Sequence, residues 1–219
     1  MPPAPAAARR VFGSSLPAVV EYARLLAGPG VERGLIGPHE VPRLWDRHLL
    51  NSAAVAGLIP RPCSVIDVGS GAGLPGIVLA LLLADCEITL LEPMLRRTAF
   101  LAECTGVLGL VNAAVVRGRA EDFAGKLSAD VVTARAVAPL AQLAGIGLGL
   151  LRPGGMMLAI KGARAAQEVA DAGDVLRSLG VREADVLCVG EGRVDPAATV
   201  VRLIAPGGPG TDRWRDEGA

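Results

Sequence analysis

Residues Val65-Ile66-Asp67-Val68-Gly69-Ser70-Gly71-Ala72-Gly73-Leu74-Pro75-Gly76 decide how this chain is read. A short apolar run, Ser64–Val68, ends abruptly in glycines, and a helical pattern opens at Pro75. A run this short and this β-branched reads as a buried strand. Glycines at its end let the backbone turn tightly and approach a ligand with no Cβ in the way. Proline suits the first turn of the helix that follows. A strand, a glycine-rich turn and a helix together form the first unit of a ligand-binding α/β sheet.

Outward from this unit the same alternation continues. Strands are expected at Glu87–Leu91, Ala113–Arg117, Asp130–Thr133, Met156–Ile160, Val181–Val189 and Thr199–Ala205. Helices are expected at Leu16–Ala27, Val41–Ile59, Pro75–Ala84, Met94–Gly106, Val137–Leu151 and Arg164–Leu179. Strands that alternate with helices pair in parallel and form a three-layer α/β sandwich. The last two strands, joined by EGRVDPA, read as a hairpin, so the final strand of a seven-stranded, mostly parallel sheet runs antiparallel. Residues 1–12 read as a flexible arm. Residues 13–205 read as one domain, with a helical extension at 13–60 and a Rossmann-like core at 61–205. Residues 206–219 read as a disordered tail.

Composition bounds the function. The 219 residues are 51% hydrophobic and 20% charged, with zero formal net charge. That balance excludes a disordered chain. It also argues against a domain that holds nucleic acid by bulk positive charge. No apolar run approaches the roughly 20 residues of a membrane helix, and the N-terminus lacks a secretory signal. Cys63, Cys86, Cys104 and Cys188 show no metal-binding spacing and read as buried thiols of a cytoplasmic protein. No metal site is expected.

In such sheets ligands bind at the carboxyl ends of the strands. After the first strand, Gly71, Gly73 and Gly76 also fit the dinucleotide pattern, with Glu92 about twenty residues on. Asp67 separates the two cofactor classes. Its carboxylate would repel a pyrophosphate but suits the cationic amino-acid end of S-adenosylmethionine. The methyl donor is the favoured reading and a dinucleotide the alternative. After the second strand, Glu92 offers two acceptor oxygens to a ribose, or else caps a helix. After the third, Ala120 and Glu121 could read an adenine edge, or form a capped turn. After the fourth, Arg135 stands between apolar stretches. Burying it unpaired is costly, so it faces the cleft or pairs with a carboxylate. After the fifth comes Lys161. On the N-terminal helix, Trp45, His48 and Ser52 share one stripe, and Arg47 and Asn51 another.

DRHLLNS, VIDVGSGAGLPGIVLA, LLEPMLRRTAFL, GRAED, TARAVAPL and LAIKG, in this order over about residues 40–165, resemble the bacterial 16S ribosomal RNA guanine-N7 methyltransferases, once called glucose-inhibited division protein B. The resemblance implies a Rossmann-like class I methyltransferase fold. It also implies S-adenosylmethionine as donor and a guanine of the small ribosomal subunit as acceptor. By matching motif, Gly69 and Leu74 would line the methionine end, with Gly71 and Gly73 in the same loop. Glu92 would hold the ribose, Ala120 and Glu121 the adenine, and Arg135 the cofactor–substrate junction as a positioning residue. Arg47, His48, Arg96, Arg97, Lys161 and Arg164 are the candidate RNA contacts. The family's acid-serine pair at the end of the second strand is Glu92-Pro93 here, which removes one backbone donor. A small-molecule methyltransferase and a non-catalytic ribosome-binding module are the alternatives.

Guanine N7 carries a lone pair and no proton, so direct in-line attack on the donor methyl needs no general base. That accounts for the missing acid–base pair. No Asp/Asn-Pro-Pro-Tyr/Phe sequence follows the fourth strand, as transfer to an exocyclic amine would require. Residues 1–61 and 117–164 carry net charges of +3 and +4; residues 62–116 and 165–219 carry −3 and −4. The zero total thus conceals a basic cleft mouth and an acidic back. No apolar helix face is left over, so a monomer is expected.

Overall fold

The computed structural model describes residues 1–207. The elements run α1 (Ala6–Phe12), α2 (Leu16–Leu25) and α3 (Asn51–Ala54), then β1 (Ser64–Val68), α4 (Gly76–Leu82), β2 (Glu87–Glu92), α5 (Leu95–Val107) and β3 (Ala113–Arg117). After these come β4 (Ala129–Arg135), α6 (Leu140–Leu148), β5 (Leu151–Lys161), α7 (Ala165–Asp171), α8 (Gly173–Ser178), β6 (Glu183–Val189) and β7 (Ala198–Ile204). The sheet order is β3-β2-β1-β4-β5-β7-β6, with only β7 antiparallel. The chain leaves β1 toward one edge and returns as β4, so strand order reverses between β1 and β4. Ligands of open α/β sheets bind at that point.

Period-two alternation divides the sheet residues between two cores. Val65, Ile88, Leu90, Val131 and Leu158 pack with the N-terminal helices, α4 and α5. Ile66, Val68, Leu91, Val132, Ala134 and Ala159 pack with α6, α7 and α8. Both faces of the parallel strands are therefore apolar, as a sheet covered on both sides requires. Among the described residues no helix is long and apolar enough to cross a membrane.

Several expectations are corrected. Residues 1–12 are not a free arm: α1 buries Ala8 and Phe12, and Trp45 Nε1 donates to Pro2 O at 3.0 Å. Burying one phenylalanine contributes roughly 1.5–3 kcal/mol toward docking this short helix. The Val41–Ile59 helix is instead a 3-10 turn (38–43), a wide π-type turn (44–50), α3 and a second 3-10 turn (55–58). The Val137–Leu151 helix starts only at Leu140, after Pro139, which leaves residues 136–139 as a loop past the carboxyl end of β4. The Arg164–Leu179 helix is broken into α7 and α8 at Ala172. Cys188 is exposed, because it alternates outward on the edge strand β6. The expected tail lies, from residue 208 on, outside the described residues.

Candidate functional site

The loop after β1 is stapled to its neighbours. Leu91 O accepts from Gly69 N at 2.8 Å and from Ser70 N at 3.2 Å. Gly69 has φ +65°, and a Cβ there would stand 2.8 Å from Val137 Cγ2. Gly73 has φ +98°, and a Cβ would meet Ile77 at 2.5 Å and the Tyr22 hydroxyl at 2.8 Å. Both positions therefore demand glycine.

Tyr22 is a residue that sequence reading missed. Fully buried on α2, it donates its hydroxyl to Ala72 O at 2.7 Å, so the N-terminal extension props the glycine loop from beneath. No spacing in the sequence signals this contact across 50 residues. Tyr22→Phe is expected to cost about 1 kcal/mol in denaturant titration. It should also speed amide exchange at Gly71–Gly73, with less effect at the centre of the sheet.

Glu92 ends β2 with no solvent exposure. Its Oε2 accepts from Gly71 N at 2.9 Å and its Oε1 from Met94 N at 3.0 Å, with Arg97 at 3.5 Å. Each carboxylate oxygen accepts two hydrogen bonds, so Oε1 keeps a second acceptor direction, while the Arg97 guanidinium stands over that of Oε2. Glu92 forms the floor of a cleft of about 500 Å³, whose walls include Gly69, Ala120, Glu121, Val137 and Ile146. That size suits a small molecule.

Asp67 departs from its expected role. Buried on β1, it accepts from Thr133 Oγ1 on Oδ1 at 2.9 Å and from Gly76 N on Oδ2 at 3.1 Å. It clamps β4 and the start of α4 beneath the loop and lines neither cleft. Burial pushes its carboxyl up to about 6. Gly73 and Leu74 likewise face the core rather than a cleft, and Gly71 acts through its N–H on Glu92.

A second cleft, about 770 Å³, opens beside the first. Ala136 lines both. It is the one non-glycine residue with positive φ (+54°) among the described residues, a conformation that costs roughly 1–2 kcal/mol. Arg135, just before it, reaches into the second cleft. Its Nη1 donates to Arg47 O at 3.2 Å and its Nη2 lies 2.6 Å from His48 Nδ1. His48 Nε2 lies 2.8 Å from Glu40 Oε2, and Glu40 Oε1 pairs with Arg47 at 3.2 Å. Burial, then the Arg135 charge, holds His48 below the usual imidazole range; the His48 hydrogen bond holds Glu40 below the usual carboxylate range.

The candidate RNA contacts divide into two groups. Lys161 is committed, donating to Ala138 O at 2.9 Å and to Glu168 at 2.7 Å, and so ties down the 136–139 loop. Arg97 leans on Glu92, Arg47 pairs with Glu40, and His48 is buried. Arg96 and Arg164 remain exposed at the strand-end rim, and among the described residues their side chains enter no hydrogen bond or ion pair. Two arginines not foreseen, Arg43 in the second cleft and Arg119 in the first, stand equally open.

Comparison with known proteins agrees with this architecture. The family described as rRNA small subunit methyltransferase G matches residues 15–195. The chain is 59% identical over 197 residues to the ribosomal RNA small subunit methyltransferase G of Thermobifida fusca, covering 90% of this chain and 83% of that one. It is 57% identical over 215 residues to the same-named protein of Streptomyces avermitilis, covering 98% and 90%. Among solved structures, a SAM-dependent O-methyltransferase from Thermotoga maritima superposes with TM-score 0.59 at 13% identity, covering 76% and 70%. A putative rRNA methylase from Clostridium thermocellum superposes with TM-score 0.53 at 14% identity, covering 74% and 98%. At these identities the two structures speak for the fold alone.

Proposed function

The chain belongs to the rRNA small subunit methyltransferase G family, and on that premise we propose that it transfers a methyl group from S-adenosylmethionine to N7 of a guanine in 16S rRNA. The observation that carries this reading is the pair of clefts that share Ala136, one suited to a nucleoside and the other rimmed by cations.

The residues of the first cleft fit the donor. Glu92 Oε1 keeps an acceptor direction for a ribose hydroxyl, Oε2 gains one when the half-exposed Arg97 swings away, and Ala120, Glu121, Val137 and Ile146 offer a slot for a flat base. When bound, the donor supplies an electrophilic methyl on a sulfonium. The acceptor nitrogen has no proton to lose, so no side chain need remove one. The chain's own contribution is positioning. Gly69 admits the donor close to the backbone. The strained Ala136 turn separates the two chambers, and Lys161 with Glu168 holds that turn. Arg135 presents N–H donors at the junction, suited to a carbonyl or a phosphate oxygen. N7 lies on the major-groove edge of a base buried in folded RNA, so the nucleotide must be presented or extruded to enter.

Incubating the protein with labelled S-adenosylmethionine and undermethylated 30S subunits tests the reading, with the modified base mapped by mass spectrometry. The expected product is one N7-methylguanine in 16S rRNA, with free guanosine inert. Equal turnover of guanosine would point to a small-molecule acceptor. In the same assay Arg43→Ala with Arg164→Ala should raise KM for the subunit. The pair should also reduce the slope of log affinity against log salt by about 1 for each phosphate no longer neutralised. Donor affinity should not change.

A further inference from the structure

The second cleft contains a chain of three side chains from three elements. Arg135 comes from the end of β4, His48 from the π-type turn and Glu40 from the 3-10 turn before it. Its chemistry is fixed by what each group can do. A guanidinium only donates. With Arg135 Nη2 at 2.6 Å, His48 Nδ1 must carry the lone pair. The proton is then on Nε2, and it is donated to Glu40 at 2.8 Å. Arg135 is therefore held by two neutral acceptors, the His48 ring and the Arg47 carbonyl, while no carboxylate among the described residues comes within ion-pair distance of it. Neutral acceptors fix its direction and leave its charge unquenched. An Arg–carboxylate pair would fix direction and quench the charge.

We propose that His48 is a positioning residue for methyl transfer. Kept neutral and oriented by Glu40, it aims Arg135 as an uncompensated cation at the acceptor nucleotide, and its protonation releases Arg135. This rests on the methyltransferase reading above. A protonated ring would set N–H against N–H at the Arg135 contact, so the anchor fails when His48 takes up a proton. The charged groups around His48 are Glu40 and Arg43 from the 3-10 turn, Asp46 and Arg47 on its own turn and Arg135 from β4, and Arg135 in turn feels the buried Asp67 of β1 and Tyr22 of α2. Across the chamber stand Lys161, already paired with Glu168, and Asp195. Burial and Arg135 both favour the neutral ring, so the acid limb of the activity belongs below the ordinary histidine range.

The test compares wild type, His48→Ala and His48→Gln on 30S subunits from about pH 5.5 to 8.5 with saturating donor. Donor affinity is measured calorimetrically alongside. Wild-type kcat/KM should fall about tenfold per pH unit below the His48 midpoint. His48→Ala should lie roughly 10²-fold below the wild-type plateau with no acid limb, so that the two converge at low pH, with donor affinity retained. His48→Gln has an amide oxygen that accepts from Arg135 and does not titrate. It should recover to within about tenfold of wild type and lose the acid limb. A His48→Ala rate within about twofold of the wild-type plateau, or an acid limb persisting in His48→Gln, would overturn the proposal.

Should His48→Ala fail to fold, His48→Gln decides. A second readout needs no RNA. The protein has two histidines, His39 and His48, so the imidazole nitrogens are assignable by NMR with His39→Gln. The Nε2–H form is expected for His48, and Arg135→Gln should raise the pH at which it protonates. If that holds while wild type methylates no rRNA, the functional reading fails and the Arg135–His48–Glu40 chain stands. An Nδ1–H form, or no response to Arg135→Gln, overturns the proposal whatever the activity.

Discussion

Glu92→Ala is expected to weaken S-adenosylmethionine binding by about 10²- to 10³-fold, the largest loss of any single change in the donor cleft. The carboxylate does two things at once. It closes the site by accepting from Gly71 N at 2.9 Å and Met94 N at 3.0 Å, and on the proposed reading it also accepts from the donor's ribose. Hydrogen bonds to charged groups are worth about 1.5–3 kcal/mol each. Removing the side chain takes the acceptor from both N–H groups and leaves the loop after β1 untied from β2. Even partial rearrangement of the loop leaves a deficit of roughly 3–4 kcal/mol, which is the affinity change stated. Glu92→Gln should lie between, because its amide nitrogen must face one of two backbone donors. Calorimetric titration measures both variants. An Ala variant within a few-fold of wild type would remove Glu92 from the donor site.

Much of this arrangement is legible in the linear sequence because it depends on local chemistry. A buried parallel strand needs an apolar run, a close-approach turn needs glycine, and a rim carboxylate must follow its strand directly. Ser64–Val68, Gly69, Gly73 and Glu92 are found by those rules. Other features depend on long-range pairing and leave no local mark. Whether a cation at the rim is free for RNA depends on its partner. Lys161 is spent on Glu168 and Ala138, whereas Arg43 and Arg119, equally ordinary in sequence, stand open.

The 38–58 segment misleads for a different reason. Its apolar spacing is that of an α-helix, but packing winds it through 3-10 and π-type turns, and this brings Glu40 and His48 together. Wide π turns recur at functional positions for that reason. The first twelve residues read as an arm because alanines and prolines dominate. Phe12, buried to 2% exposure, and the Trp45 bond to Pro2 O show that they dock.

Asp67→Ala is expected to destabilise the fold by roughly 3–5 kcal/mol, because it strands a buried hydroxyl and a buried N–H at once. Thr133 and Gly76 lose their acceptors, and β4 and α4 lose the group that joins them under the glycine loop. Asp67→Asn keeps an oxygen for Gly76 N and an amide for the Thr133 oxygen, so it should cost far less. The two side chains differ in their response to pH. Burial raises the Asp67 carboxyl from 3.8 to about 6, so the folded state holds its proton more tightly than the unfolded chain does. The contribution of this group to stability is then greatest below 3.8, declines as pH rises to about 6, and stays flat above that. At 1.36 kcal/mol per unit the decline amounts to about 3 kcal/mol. Asp67→Asn has no such group. Its unfolding free energy measured against wild type should therefore improve by that amount between about pH 4 and 6 and hold constant beyond. A difference independent of pH across that window would show that the two donors to its carboxylate, the Thr133 hydroxyl and the Gly76 N–H, compensate its burial in full.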